Sequence, residues 1–124
     1  MANPNIVNVT SILGNSAQVS LTTTGATSLV SNAAASNRVL KINSITVANV
    51  DGTNAADITI NIYSAAALGG SAFPIVSTVS VPADATLIVT DKTTTFYLLE
   101  NQSIGAIAGT ASDLVVNISW EEIS

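Results

Sequence analysis

The sequence predicts an all-β protein: a single-domain β-sandwich, jelly-roll-like, of about eight short antiparallel strands and spanning residues 1–124. Three observations predict it. Apolar residues recur with a period of two along most of the chain, the spacing of strands whose alternate side chains face a core. Clusters of Gly, Asn, Asp, Ser and Thr interrupt that alternation at short intervals, as in sandwiches and barrels. Helix signals are poor: "SNAAASN" and "SAAALGG" each have room for one turn, well short of a helix that is stable by itself.

The elements follow in order. "NIVNVTSIL" alternates, with Val7, Val9, Ser11 and Leu13 on one side. "SAQVSLTTT" sets Ala17, Val19 and Leu21 apart from Gln18, Ser20 and Thr22. "RVLKINSITVANV" places Leu40, Ile42, Ser44, Thr46, Ala48 and Val50 on one face, and Val39, Lys41, Asn43, Ile45 and Val47 on the other. Apolar residues on both faces predict a central strand or one covered by a neighbour. "ADITINIYS" is a half-buried strand, with Ile58, Ile60 and Ile62 facing in. "FPIVSTVSV" carries Pro74 near its start, a position strands tolerate. "TLIVT", "TTFYLL", "SIGAIAG" and "DLVVNISWEE" complete the set, the last with Leu114, Val116, Ile118 and Trp120 on one face.

Composition excludes several functions. Charged residues are 9% of the chain, against roughly 25% in ordinary soluble domains. The surface must be built from Ser, Thr and Asn, which repel neighbouring copies weakly and suit a subunit packed among others. The net charge is −5, with Arg38, Lys41 and Lys92 the only basic side chains. No basic stripe exists for nucleic acid, and no polybasic patch for a membrane surface. No apolar run approaches the ~20 residues of a membrane helix. "MANPNIVNVT" has no basic start and no long apolar stretch, so no signal peptide is expected.

Catalytic chemistry is scarce. The chain has no cysteine and no histidine. That removes Ser–His and Cys–His nucleophiles, thiolate and imidazole metal sites, and disulfides. A Ser–Lys pair using Lys41 or Lys92 has no supporting motif. The carboxylates lie mostly in turns or at strand ends, where they bond the turn backbone or solvent. "LGGSAF" lacks the lysine and spacing of a phosphate loop. The sequons "NVT", "NQS" and "NIS" are weak matches and need a secretory route. The chain therefore reads as non-enzymatic and without a cofactor.

Three features stand out as candidate sites. "NVDGTNAADITI" brings Asp51, Asn54 and Asp57 close together beside Gly52. An EF-hand loop would need further acids and a closing glutamate, so Asp51-Gly52 reads as the turn of a hairpin; a cation held by Asp51, Asn54 and Asp57 is the lesser option. Trp120 shares a face with Ile118 and Val116, which favours core or rim packing over a partner or sugar anchor. "SWEEIS" places two acids near the end of the chain, as a solvated tail or a contact with a neighbour.

The phrases "MANPNIVNVTSILGN", "KINSITVANVDGTNAADITINIY", "VPADATLIVTDKTTTFYLLENQSI" and "DLVVNISWEEIS" resemble small virion structural proteins of tailed bacteriophages, chiefly those infecting marine cyanobacteria. The resemblance spans nearly the whole chain but includes no site motif. It implies a particle component similar to head decoration, or cement, proteins. These sit as oligomers, often trimers, on the outer surface of the phage head, bound to the major capsid protein and to one another. A tail, neck, baseplate or fibre domain that attaches to the host is the alternative. The contact face expected here is the second face of strand 38–50, Val39, Ile45 and Val47.

Overall fold

The computed structural model describes residues 3–124. Among them are nine strands: β1 (Ile12–Ser20), β2 (Thr27–Asn32), β3 (Val39–Asn49), β4 (Ala56–Ala65), β5 (Gly69–Val81), β6 (Thr86–Thr90), β7 (Phe96–Leu98), β8 (Gln102–Ala108) and β9 (Leu114–Ile123). A first sheet has the order β1-β9-β3-β6, with β7 also on β3; a second has the order β2-β8-β4-β5. β6 pairs with Ile45–Ala48 and β7 with Leu40–Ile42, so the two share one edge of β3 and fill the place of one strand. Successive strands then alternate between sheets, except at the β4–β5 hairpin. That winding is a jelly roll.

The core lies between the sheets. Ile42, Ile45, Val47, Ile58, Ile60, Ile104, Leu114, Val116 and Ile118 are fully buried there. Most are β-branched, so little rotamer freedom is lost on a pleated surface. Each is worth about 1.5–3 kcal/mol against leaving it in water. The sequence supplies few aromatic rings, and aliphatic interdigitation takes their place.

Bulges explain where strict alternation misleads. β3 pairs with β9 through Ile42 opposite Trp120, then Ser44 opposite Ser119, leaving Asn43 as an extra residue. One inserted residue exchanges the two faces. Leu40 and Ile42 therefore face the core before the bulge, and Ile45 and Val47 face it afterwards. Ser44 turns outward and its hydroxyl bonds that of Ser119 at 2.9 Å. β2 escapes alternation for the same reason. Its register shifts between Ser28 and Val30, and adjacent Leu29 and Val30 both enter the core. The stretch before Ile12, expected to belong to a strand, is not one.

Part of the outer face of the second sheet, around Gly105, is also covered. At the β4–β5 turn Gly69 N donates to Ala66 O at 3.1 Å, and Ala67 and Leu68 both have positive φ (56° and 61°). These are the central positions of a hairpin turn that usually takes Asn-Gly. Three side chains hold the turn: Ala66, Ala67 and Leu68 donate their N–H groups to Asn101 Oδ1, Ser31 Oγ and Ser103 Oγ at 3.1, 2.9 and 2.9 Å. Leu68 is thereby placed over Gly105, which also abuts the ring of Tyr63.

Candidate assembly surface

The stretch "NVDGTNAADITI" does not close a hairpin. β3 belongs to the first sheet and β4 to the second, so the loop crosses between them. Its organising residue is Asn49, buried at the end of β3. The Asn49 amide donates to Asn54 O and Val81 O, both at 2.9 Å, and its Oδ1 accepts from Asp51 N at 2.9 Å. Asp51 Oδ1 then accepts from Thr53 N at 2.8 Å and Asn54 N at 3.3 Å. The Thr53 amide, helped by the backbone and side chain of Asn54 against slight desolvation, holds the Asp51 carboxyl below the usual aspartate range.

Of the predicted cation trio, the hydrogen bonds join only two side chains. Asp51 and Asn54 are joined by an amide–carboxylate hydrogen bond of 3.4 Å. Asp57 instead lies in β4 opposite Ser80, with its carbonyl accepting from Gly109 N at 2.8 Å. Asparagine at position 49, which alternation leaves unremarked, matters more than the acids. Asn49→Ala would strand the buried Val81 carbonyl, and a destabilisation of about 1–3 kcal/mol is expected. Urea unfolding measured by circular dichroism checks it.

The predicted contact face is likewise corrected. Ile45 and Val47 are 0% exposed and belong to the core, because the Asn43 bulge turns them inward. Val39 precedes the bulge and keeps its outward parity, but it is only 3% exposed and sits opposite Ile123, which is also buried. None of the three is free to meet a partner.

The sheet edges differ from one another in a way that is informative. β2 is six residues long and bulged. β5 contains Pro74, three register shifts and Thr78 at a φ of 47°. β6 and β7 are five and three residues long. Each carries a device that discourages further strand pairing. β1 carries none. Its nine residues, "ILGNSAQVS", run in unbroken register along β9 and include no charge and no proline. Ile12 and Leu13 on it are exposed, as are Ile6 and Val7 just before it. Among the described residues, β1 is the long, regular and uncharged edge.

No protein-family model and no curated protein matches the chain. Solved structures do. One chain from the acid-stable capsid of the Helicobacter pylori bacteriophage KHP30 aligns with a TM-score of 0.55 at 8% identity, over 94% of this chain and 90% of its own. Another, from the disulfide-linked pili that form Bacillus endospore appendages, aligns with a TM-score of 0.54 at 13% identity, over 100% of this chain and 96% of its own. What they share is the fold. This chain has no cysteine, so it cannot make a disulfide link to a neighbour.

Proposed function

We propose that this protein is a non-enzymatic virion component of a tailed bacteriophage of the cyanophage type. In this reading it is a head decoration protein that binds the major capsid protein from outside and stiffens the shell as a homotrimer. The observation that carries the reading is the unguarded β1 edge on a domain of very low charge. Soluble monomers protect such an edge; a subunit leaves it for a neighbour. Here β1 receives a strand from a sister subunit, and the symmetric oligomer multiplies individually weak contacts with the capsid lattice. The phage-capsid chain of the same fold supports this placement.

The test has two parts. Ser16 and Gln18 are exposed on β1, and Ser16→Lys with Gln18→Lys gives the edge the charges it lacks. Wild-type protein at micromolar concentration is expected to scatter light as an oligomer, and the double variant as a folded monomer. A monomeric wild type would overturn self-association. Cryo-electron microscopy of undecorated heads incubated with wild-type protein should show added density on the outer surface. Density at the tail, neck or baseplate of the native virion would favour the host-attachment alternative.

A further inference from the structure

The sandwich is not closed at the corner between β1 and β2. A cleft of about 240 Å³ enters there, lined by Asn15, Asn32, Arg38, Leu40, Trp120 and Glu122 among others. The register explains why a charge lies inside it. Trp120 pairs with Ile42 on one side and Asn15 on the other, and Glu122 with Leu40 and Leu13. Both therefore face inward, continuing the row of Leu114, Val116 and Ile118. An inward carboxylate between two sheets is costly unless it is paired. Glu122 is paired twice, with the Arg38 guanidinium and with Asn15 Nδ2 at 3.0 Å. Its side chain is only 18% exposed, against 52% for Arg38.

The wall opposite is built with equal care. Asn32, itself buried, donates to Arg38 O at 2.9 Å and Leu98 O at 3.4 Å, and accepts from Ser36 Oγ at 2.6 Å. These bonds fix the turn between β2 and β3, and with it the start of β3 that positions Arg38. Asn32 has spent its groups on the scaffold. Asn15 Oδ1 and the remainder of the Arg38 guanidinium have not: among the described residues they accept or donate no other hydrogen bond.

The lining specifies a ligand class. Arg38 and Glu122 cancel, so the cleft has no net charge to attract an ion. Unused donors and acceptors stand together, which suits hydroxyl groups, since these do both. Trp120 and Leu40 supply an apolar surface beside them. The volume falls below the roughly 300–1,000 Å³ of sites for drug-sized ligands, leaving space for about one ring. A pyranose has these properties: a C–H face for the indole and a rim of neutral hydroxyls. We infer that the cleft binds a single neutral pyranose unit of a glycan, with Trp120 as its platform and Asn15 and Arg38 bonding its hydroxyls. The inference does not depend on where in the virion the protein sits.

Trp120 is the one tryptophan of the chain, so its fluorescence reports the site directly. Wild-type protein would be titrated with the methyl pyranosides of glucose, galactose and mannose, and with glucuronate as a charged control. A saturable change in emission is expected for at least one neutral glycoside, with a Kd on the order of millimolar. Asn15→Ala keeps the reporter and should weaken that binding about tenfold; Trp120→Phe, followed by saturation-transfer NMR, should retain weak binding that Trp120→Ala loses. No saturable response to any neutral glycoside at about 50 mM, roughly fifty times that Kd, overturns the inference. So does binding that Asn15→Ala and Trp120→Ala leave unchanged, or binding of glucuronate alone.

Discussion

Ile45→Ala is expected to lower stability by about 2–5 kcal/mol, while Thr46→Ala, one residue along the same strand, stays within about 0.5 kcal/mol. The contrast follows from the Asn43 bulge. Ile45 is fully buried, deleting its methyl groups leaves a cavity between the sheets, and neighbours such as Ile118 opposite it relax only in part. Thr46 points away from the core, between Asn117 of β9 and Ile88 of β6, and has solvent to one side. Under unbroken alternation the two costs would be reversed, with Thr46 in the row of Leu40 and Ile42. Guanidinium unfolding midpoints for the two variants, compared at equal m-values, decide the matter.

Gly105→Val is expected to cost about 3 kcal/mol, at the upper end of the usual range for overpacking. A Cβ at this position would lie 2.7 Å from Leu68 Cδ2, 3.1 Å from Tyr63 Cε2 and 3.3 Å from Thr27 O. Leu68 alone could rotate away, being the end of a flexible side chain. The Tyr63 ring and the Thr27 carbonyl crowd the other sides, and a branched side chain meets all three. Displacing Leu68 also pulls on a turn whose two central residues are already in the left-handed region, at a cost of roughly 1–2 kcal/mol each. Leu68→Ala in the same chain should recover part of the loss, and a double-mutant cycle measures how much. Additive losses would show that the crowding lies with Tyr63 and Thr27.

How much of this was legible in the sequence depends on one local property. Where pairing is regular, alternation names the right face: Ile58, Ile60 and Ile62 line up opposite Ala108, Ala106 and Ile104, and Leu114 to Trp120 form one row. Where a strand is bulged, alternation names the wrong face. Asn43 made β3 look apolar on both sides, and the doublet Leu29-Val30 hid β2 altogether. A bulge is settled by the partner strand, which a single sequence does not display. The loop after Val50 illustrates the same limit from another side. Asp51-Gly52 is a sound turn signal, but whether the chain returns beside itself or crosses to another sheet is decided by long-range pairing. The cleft was not legible at all, since Asn15, Asn32, Arg38, Trp120 and Glu122 come from three different strands and a loop. Trp120 was visible as an inward residue; the absence of a covering strand at that corner was not.

The place of β9 has a consequence for how the chain is made. β9 is the last strand in sequence, yet it lies between β1 and β3, bonded to both. Until it has been synthesised, the first sheet lacks its centre, and β1 and β3 wait with unpaired backbone on the sides that will face it. The second sheet has no such delay, because β2, β4, β5 and β8 all precede β9 in the chain. Translation at roughly 5–20 residues per second thus leaves a half-built sandwich exposed for seconds. Low charge gives it little protection against pairing with its own kind. Stable folding and premature association then compete for the same strand edges, and the balance turns on how soon β9 arrives.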